Sequence, residues 1–102
     1  MPCPKVPLNL VESCKLLKDL SAGWEIESDR LRRTYKFKDF ICALNFVNRI
    51  GELAETANHH PDIYLAWGKV EVVLFTHSAK GLTSMDFNLA QQIDSIETDR
   101  GA

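Results

Sequence analysis

All three histidines of the chain, His59, His60 and His77, fall in one window, AETANHHPDIYLAWGKVEVVLFTH. Clustered imidazoles have three physical readings. An imidazole titrates near neutrality, so one ring can donate a proton while another accepts one. Three imidazoles can also hold zinc together with a water. Or His59 and His60 simply favour a helix C-terminus, and His77 ends a strand.

The elements around these residues must decide how close the rings come. DIYLAW and VEVVLFTH flank Gly68-Lys69 and read as a hairpin with glycine first in a two-residue turn. Pairing Trp67 with Val70 sets Leu65 against Val72 and Ile63 against Leu74, and these six form one apolar face. Tyr64, Ala66, Glu71, Val73 and Phe75 form a mixed opposite face, suited to a partner or a second subunit. Continuing this register outward sets His60 opposite His77, with Cβ atoms about 4.5–5.5 Å apart. Pro61 interrupts regular pairing there.

Before the histidines, Asp39 opens the clearest helix, its charge suiting a helix N-terminus. Phe40, Ala43, Leu44, Val47, Ile50, Ala54 and Ala57 recur at helical spacing. The helix ends near Asn58, because Pro61 disfavours helical geometry in the residue preceding it. After them, Thr83 as N-cap and Asp86 three residues on resemble a capping box, with Leu82 and Phe87 spaced as a hydrophobic staple. Leu89, Ala90, Ile93 and Ile96 continue that buried stripe. Towards the N-terminus, Asn9 and Glu12 form a capping pair for a helix through LVESCKLLKDL, carrying Leu10, Leu16, Leu17 and Leu20. WEIES and LRRTYKFK read as two strands about the polar turn Ser28-Asp29-Arg30. The order is α-β-β-α-β-β-α, an α+β fold with a four-stranded antiparallel sheet and three helices on one face.

The chain of 102 residues reads as one domain over 1–102. Hydrophobic residues make up 45% and charged residues 25%, a globular balance that argues against disorder. A net charge of −2 argues against direct nucleic-acid binding. The cysteines Cys3, Cys14 and Cys42 are odd in number and share no metal-ligand spacing. They suit a reducing compartment, with Cys14 and Cys42 as small apolar fillers inside helices. No apolar run reaches the roughly 18–20 residues that span a bilayer. The proline-rich start has no secretory apolar core, and the polar stretch 97–102 reads as a loose tail. A cytoplasmic location is expected, with the nucleus as a second one.

Glu55, His59-His60-Pro61, Trp67, His77 and Asp86 resemble, in type and spacing, the motif of the pterin-4a-carbinolamine dehydratases. AGWEIE, YKFKDFICALNFVNRI and THSAKGLTSMDFNLA look like the corresponding family segments, so the resemblance covers nearly the whole chain. It implies a lyase that dehydrates 4a-hydroxytetrahydrobiopterin to quinonoid dihydrobiopterin plus water. That reaction recycles tetrahydrobiopterin after aromatic amino-acid hydroxylation, and it needs no metal or organic cofactor.

By the same resemblance, His59, His60 and His77 are the catalytic set. His59 and His77 are the acid–base pair, and His60 mainly binds and orients substrate. Asn58, His59, His60, Phe75, Thr76, His77 and Ser78 are substrate-binding, while Glu55, Trp67 and Asp86 support. Glu55, one helical turn before His59, is placed to orient that ring. Many members carry Asp where this chain has Asn58, and an acidic residue where it has Ser78. Two fewer carboxylates bear on rate and pH optimum. The partners implied are a pterin, further copies of the chain as a homodimer or homotetramer, and an aromatic amino-acid hydroxylase or a transcription factor. No direct nucleic-acid or membrane contact is implied. The alternative function is non-catalytic, as a binding or dimerisation cofactor for such a transcription factor or hydroxylase.

Overall fold

The computed structural model describes residues 10–20 and 23–99. Its elements are α1 (Leu10–Lys18), β1 (Glu25–Glu27), β2 (Arg30–Lys36), α2 (Phe40–Ala57), β3 (Asp62–Ala66), β4 (Lys69–Leu74) and α3 (Ser84–Asp99). The order α-β-β-α-β-β-α is the one the sequence predicts. The strands form one antiparallel sheet in the order β1-β2-β4-β3, with the three helices on one face.

The core lies between that face and the helices. Leu31, Tyr35, Val70, Val72 and Leu74 are buried on the sheet side, facing Ala43, Phe46 and Ile50 of α2 and Phe87, Leu89, Ala90 and Ile93 of α3. Leu16, Leu17 and Leu20 pack against the same cluster. The Asn9–Glu12 capping pair involves Asn9, outside the described residues, as is Cys3. Cys14 is exposed rather than a filler, while Cys42 is half-buried against the core. The tail expected over 97–102 is helical as far as Asp99.

In α2 the buried stripe is Ala43, Phe46, Ile50 and Ala54. Phe46 replaces Phe40 as the aromatic core residue, with Phe40 40% exposed. The Phe46 ring lies 4.7 Å from Tyr35 and 5.1 Å from Phe37, so two aromatics of the β2 segment turn the helix towards this residue. Asp39 caps the helix, its carboxylate accepting from Cys42 N–H at 2.8 Å.

The β3–β4 register differs from the expected one by two residues. Leu65 pairs with Val70 and Ala66 with Lys69, leaving Trp67 and Gly68 as the turn. The reason lies in the segment that follows β2: Phe37 N–H donates to Gly68 O at 2.9 Å, and a Cβ on Gly68 would stand 2.9 Å from Phe37 O. Gly68 is thus the turn residue pressed against Phe37, and it sits second in the turn. Side chains alternate with period two, so an offset of two leaves faces unchanged. Ile63, Leu65, Val70, Val72 and Leu74 keep the core face. Trp67 leaves it for the turn, 68% exposed.

α3 is fixed to the sheet by a polar cluster. The Asp94 carboxylate accepts from Trp24 Nε1, from Arg33 at 2.8 Å and from the Tyr35 hydroxyl at 2.7 Å. Arg33 also lies 4.4 Å over the Tyr35 ring. No described helix is long and apolar enough to cross a membrane.

Candidate active site

The corner where α2 ends, β4 ends and α3 begins carries the three histidines. Asn58 stops α2 in a left-handed conformation, φ 52° and ψ 42°. Asn58 N–H donates to Glu55 O, and His59 N–H reaches back to Ala54 O at 3.1 Å. This pair of bonds is a Schellman motif, whose left-handed position favours Gly and then Asn. The residue before the histidine pair therefore has a structural reason to be Asn, and the motif fixes the direction in which His59 leaves the helix.

His59 turns inward and is 8% exposed. Its Nε2 meets Asp86 Oδ1 at 2.5 Å. Asp86 is fully buried. Its second oxygen accepts from Thr76 Oγ1 at 2.8 Å and from Thr83 N–H at 2.9 Å. Thr83 Oγ1 accepts from Met85 N–H at 3.3 Å and lies 2.9 Å from Thr76 Oγ1. The capping box read from the sequence is present, and its acidic member also holds a histidine of the cluster. With the carboxylate accepting, Nε2 is the donor of this bond, and Nδ1 is the ring nitrogen left for other partners.

Thr76 faces inward to Asp86, so its chain neighbours Phe75 and His77 face outward. Thr76 N–H donates to Gly81 O at 3.1 Å, Gly81 N–H returns to Thr76 O, and Lys80 N–H donates to His77 O at 3.2 Å. The THSAKG segment is thus closed at its base. His77 is exposed, its ring 5.0 Å from that of Phe75 at 78°.

Two expected contacts are replaced. Glu55 pairs with His60 Nε2, not with His59. Asp86 already occupies the His59 nitrogen, while His60 and Glu55 share the solvent side, where such a pair contributes little to stability. The expected His60–His77 cross-strand pair also gives way. β3–β4 pairing stops at Asp62 with Val73, and the observed register, carried outward, sets His60 beside Phe75. His59 is linked to the β4 end through Asp86 and Thr76 instead. Ser78 follows His77 in the closed turn. Trp67 stands apart at the other end of the hairpin, roughly 17 Å away along β3.

Thr83 is the residue that sequence reasoning left as a cap alone. Its backbone and hydroxyl both enter the Asp86 network, and the Thr-x-x-Asp spacing is the signal that carries it. Among the described residues, no group of three His, Cys, Asp or Glu side chains is arranged to hold a metal ion.

A family model described as pterin 4 alpha carbinolamine dehydratase matches residues 6–96. A candidate pterin-4-alpha-carbinolamine dehydratase of Rubrobacter xylanophilus is 47% identical over 91 residues, covering 88% of this chain and 84% of that one. One from Alkaliphilus metalliredigens is 42% identical, covering 91% and 85%. A crystal structure from Brucella melitensis, described as a transcriptional coactivator/pterin dehydratase, superimposes with a TM-score of 0.84 at 34% identity, covering 88% of this chain and 97% of that one. A pterin dehydratase-like protein, described as a RuBisCO assembly factor in the alpha-carboxysome, shares the fold at a TM-score of 0.60 and 16% identity, over 72% and 84% of the two chains.

Proposed function

Because the chain belongs to the pterin 4 alpha carbinolamine dehydratase family, we propose that it dehydrates 4a-hydroxytetrahydrobiopterin to quinonoid dihydrobiopterin by histidine acid–base catalysis. The observation that carries the reading is His59, buried and held through Nε2 by Asp86, at the same corner as the exposed His77. In the reaction the C4a–O bond breaks, C4a=N5 forms, the 4a-hydroxyl leaves as water and N5 gives up its proton. One acid and one base therefore suffice.

His59 takes the N5 proton. The Asp86 carboxylate stabilises the imidazolium that results, as a hydrogen-bonded anion does for any positioned base. His77 delivers a proton to the departing hydroxyl and is free to re-equilibrate with solvent. His60, backed by Glu55, binds and orients the pterin beside Asn58, Phe75 and Ser78. Thr76, turned inward, serves by holding Asp86. The product feeds a reductive step that regenerates the tetrahydropterin.

Stopped-flow absorbance at the quinonoid dihydropterin band tests this, with the carbinolamine made in situ by a hydroxylase. The expected result is dehydration well above the spontaneous rate. An unchanged rate with wild-type protein sinks the reading.

A second reading, an interaction role, is favoured by the double description of the Brucella melitensis structure. Exposed Val11 of α1 and the exposed pair Phe40 and Ile41 at the start of α2 supply apolar surface for it. We further propose a homodimer or homotetramer, tested by light scattering across a concentration series. Partner binding retained by a catalytically dead variant separates the interaction role from the enzymatic one.

A further inference from the structure

The β1–β2 turn is built from two residues with positive φ, Ser28 at 51° and Asp29 at 62°. Glu27 pairs with Arg30 across it, so this is a two-residue hairpin with both central residues left-handed, the geometry that matches strand twist. The tight turn fixes where Arg30 enters β2. Its side chain leans back, Nη1 donating to Ser28 O at 3.4 Å. Its guanidinium carbon then lies 4.3 Å above the centre of the Phe75 ring. The adjoining pair Leu31–Leu74 anchors both backbones in the buried sheet. Phe75 in turn meets the His77 ring at 5.0 Å and 78°.

Arg30, Phe75 and His77 thus form a column along the outer side of the candidate site. The column has a chemical consequence. The guanidinium covers one face of Phe75, so that face is closed to a stacked heteroaromatic substrate. Held on one side by Arg30, the phenyl ring has few orientations left. The exposed imidazole resting against it inherits that restriction.

We propose that Arg30 is a positioning residue for His77, acting through Phe75. The inference rests on the proposed dehydratase reading for its effect on rate, and on the column's geometry for its effect on the ring. Arg30 itself transfers no proton and binds no substrate. Its contribution is to keep His77 in the orientation that points at the departing hydroxyl.

The test uses Arg30→Ala, Arg30→Lys and Phe75→Leu, with the Arg30→Ala/Phe75→Leu double variant, each followed by dehydration kinetics and by aromatic NMR of the histidine rings. A cation–π contact at an exposed position corresponds to roughly a two- to fivefold effect. Arg30→Ala should therefore lower kcat by about that factor and leave KM within about twofold. The His77 ring resonances should move while those of His59 stay. Arg30→Lys, which keeps a cation over the ring, should recover most of the loss. In the Phe75→Leu background, removing Arg30 should cost nothing further, since coupled residues are non-additive.

Wild-type kcat and unmoved His77 resonances in Arg30→Ala would overturn the inference. So would the same loss with and without Phe75. If the wild-type protein proves inactive, the dehydratase reading fails by itself. The NMR shift then decides the column alone: a moved His77 ring upholds it and an unmoved ring overturns it.

Discussion

Asp86 holds His59 with one carboxylate oxygen and starts α3 with the other. A single buried side chain thereby ties the ring to the helix N-terminus and, through Thr76, to the end of β4. Removing it leaves a buried imidazole, a hydroxyl and a backbone N–H without their acceptor. Asp86→Ala should cost about 2–4 kcal/mol, combining a lost cap with unsatisfied buried donors. Urea denaturation measures this. Thr83→Ala, which keeps the backbone N–H, should cost about 1 kcal/mol. Equal costs for the two variants would show that Asp86 is only a cap.

The two histidines should separate chemistry from folding. His77 is exposed and its removal leaves no buried cavity, so His77→Ala should fold with wild-type stability. His59 is buried, so His59→Ala should lower stability while retaining the far-ultraviolet circular dichroism of the fold. Both should lower kcat by roughly a hundred- to ten-thousandfold, the usual contribution of a positioned acid or base. His60→Ala should act mainly on KM. A His77→Ala variant with full activity would remove it from the acid–base pair.

Much of this arrangement is legible in the residues. Periodicity marks α2 and α3, the Thr-x-x-Asp spacing marks the start of α3, and alternation marks the two faces of the β3–β4 hairpin. What local pattern cannot carry is contact between segments distant in the chain. The Gly68 turn is set by Phe37, so the hairpin alone leaves two registers that share the same faces. Phe46 is drawn inward by aromatics of the β2 segment, which helical spacing does not see. The pairing of His59 with Asp86, and of His60 with Glu55, depends on which ring turns inward after Asn58. That choice is made by the Schellman bonds rather than by the spacing of the motif.

Asn58 offers a clean experiment because its backbone is left-handed. A left-handed L-residue without a local polar side chain costs roughly 1–2 kcal/mol, so Asn58→Ala should lose about that much in chemical denaturation. Asn58→Gly should be neutral or slightly stabilising. Asn58→Asp should fold as well as the parent and add a negative charge beside the histidine pair. A carboxylate next to an imidazole favours its protonated form, so the rate profile of this variant should move to higher pH. An unmoved profile would show that the charge is spent on solvent or on the helix end.

The Asp94 cluster predicts a loss of stability unrelated to the site. Its carboxylate is the shared acceptor for Trp24, Arg33 and Tyr35, and the Arg33–Asp94 pair is mostly shielded, at 15% and 10% side-chain exposure. Asp94→Ala strands a cation and two buried donors and should cost about 3–5 kcal/mol. The fluorescence of Trp24 should shift, and the dehydration rate of the remaining folded protein should be unchanged. A cost under about 1 kcal/mol would mean that water replaces the carboxylate.

Asp39 supplies the pH dependence. Hydrogen bonding to the Cys42 backbone N–H at the start of α2 holds its carboxyl below the ordinary value of 3.8. The folded state therefore binds this proton less readily than the unfolded chain, so folding is favoured wherever the group is ionised. That contribution is fully present above the unfolded value. It is lost as pH falls through the lower folded value. The stability gap between wild type and Asp39→Ala should be widest at neutral pH and narrow below about pH 4, whereas the gap for Asp39→Asn, with no carboxyl to titrate, should follow only the wild-type change. Thermal melts of the three proteins from pH 7 to pH 2.5 measure it. A wild-type-to-alanine gap that stays constant over that range would show that the bond to Cys42 does not depend on the charge.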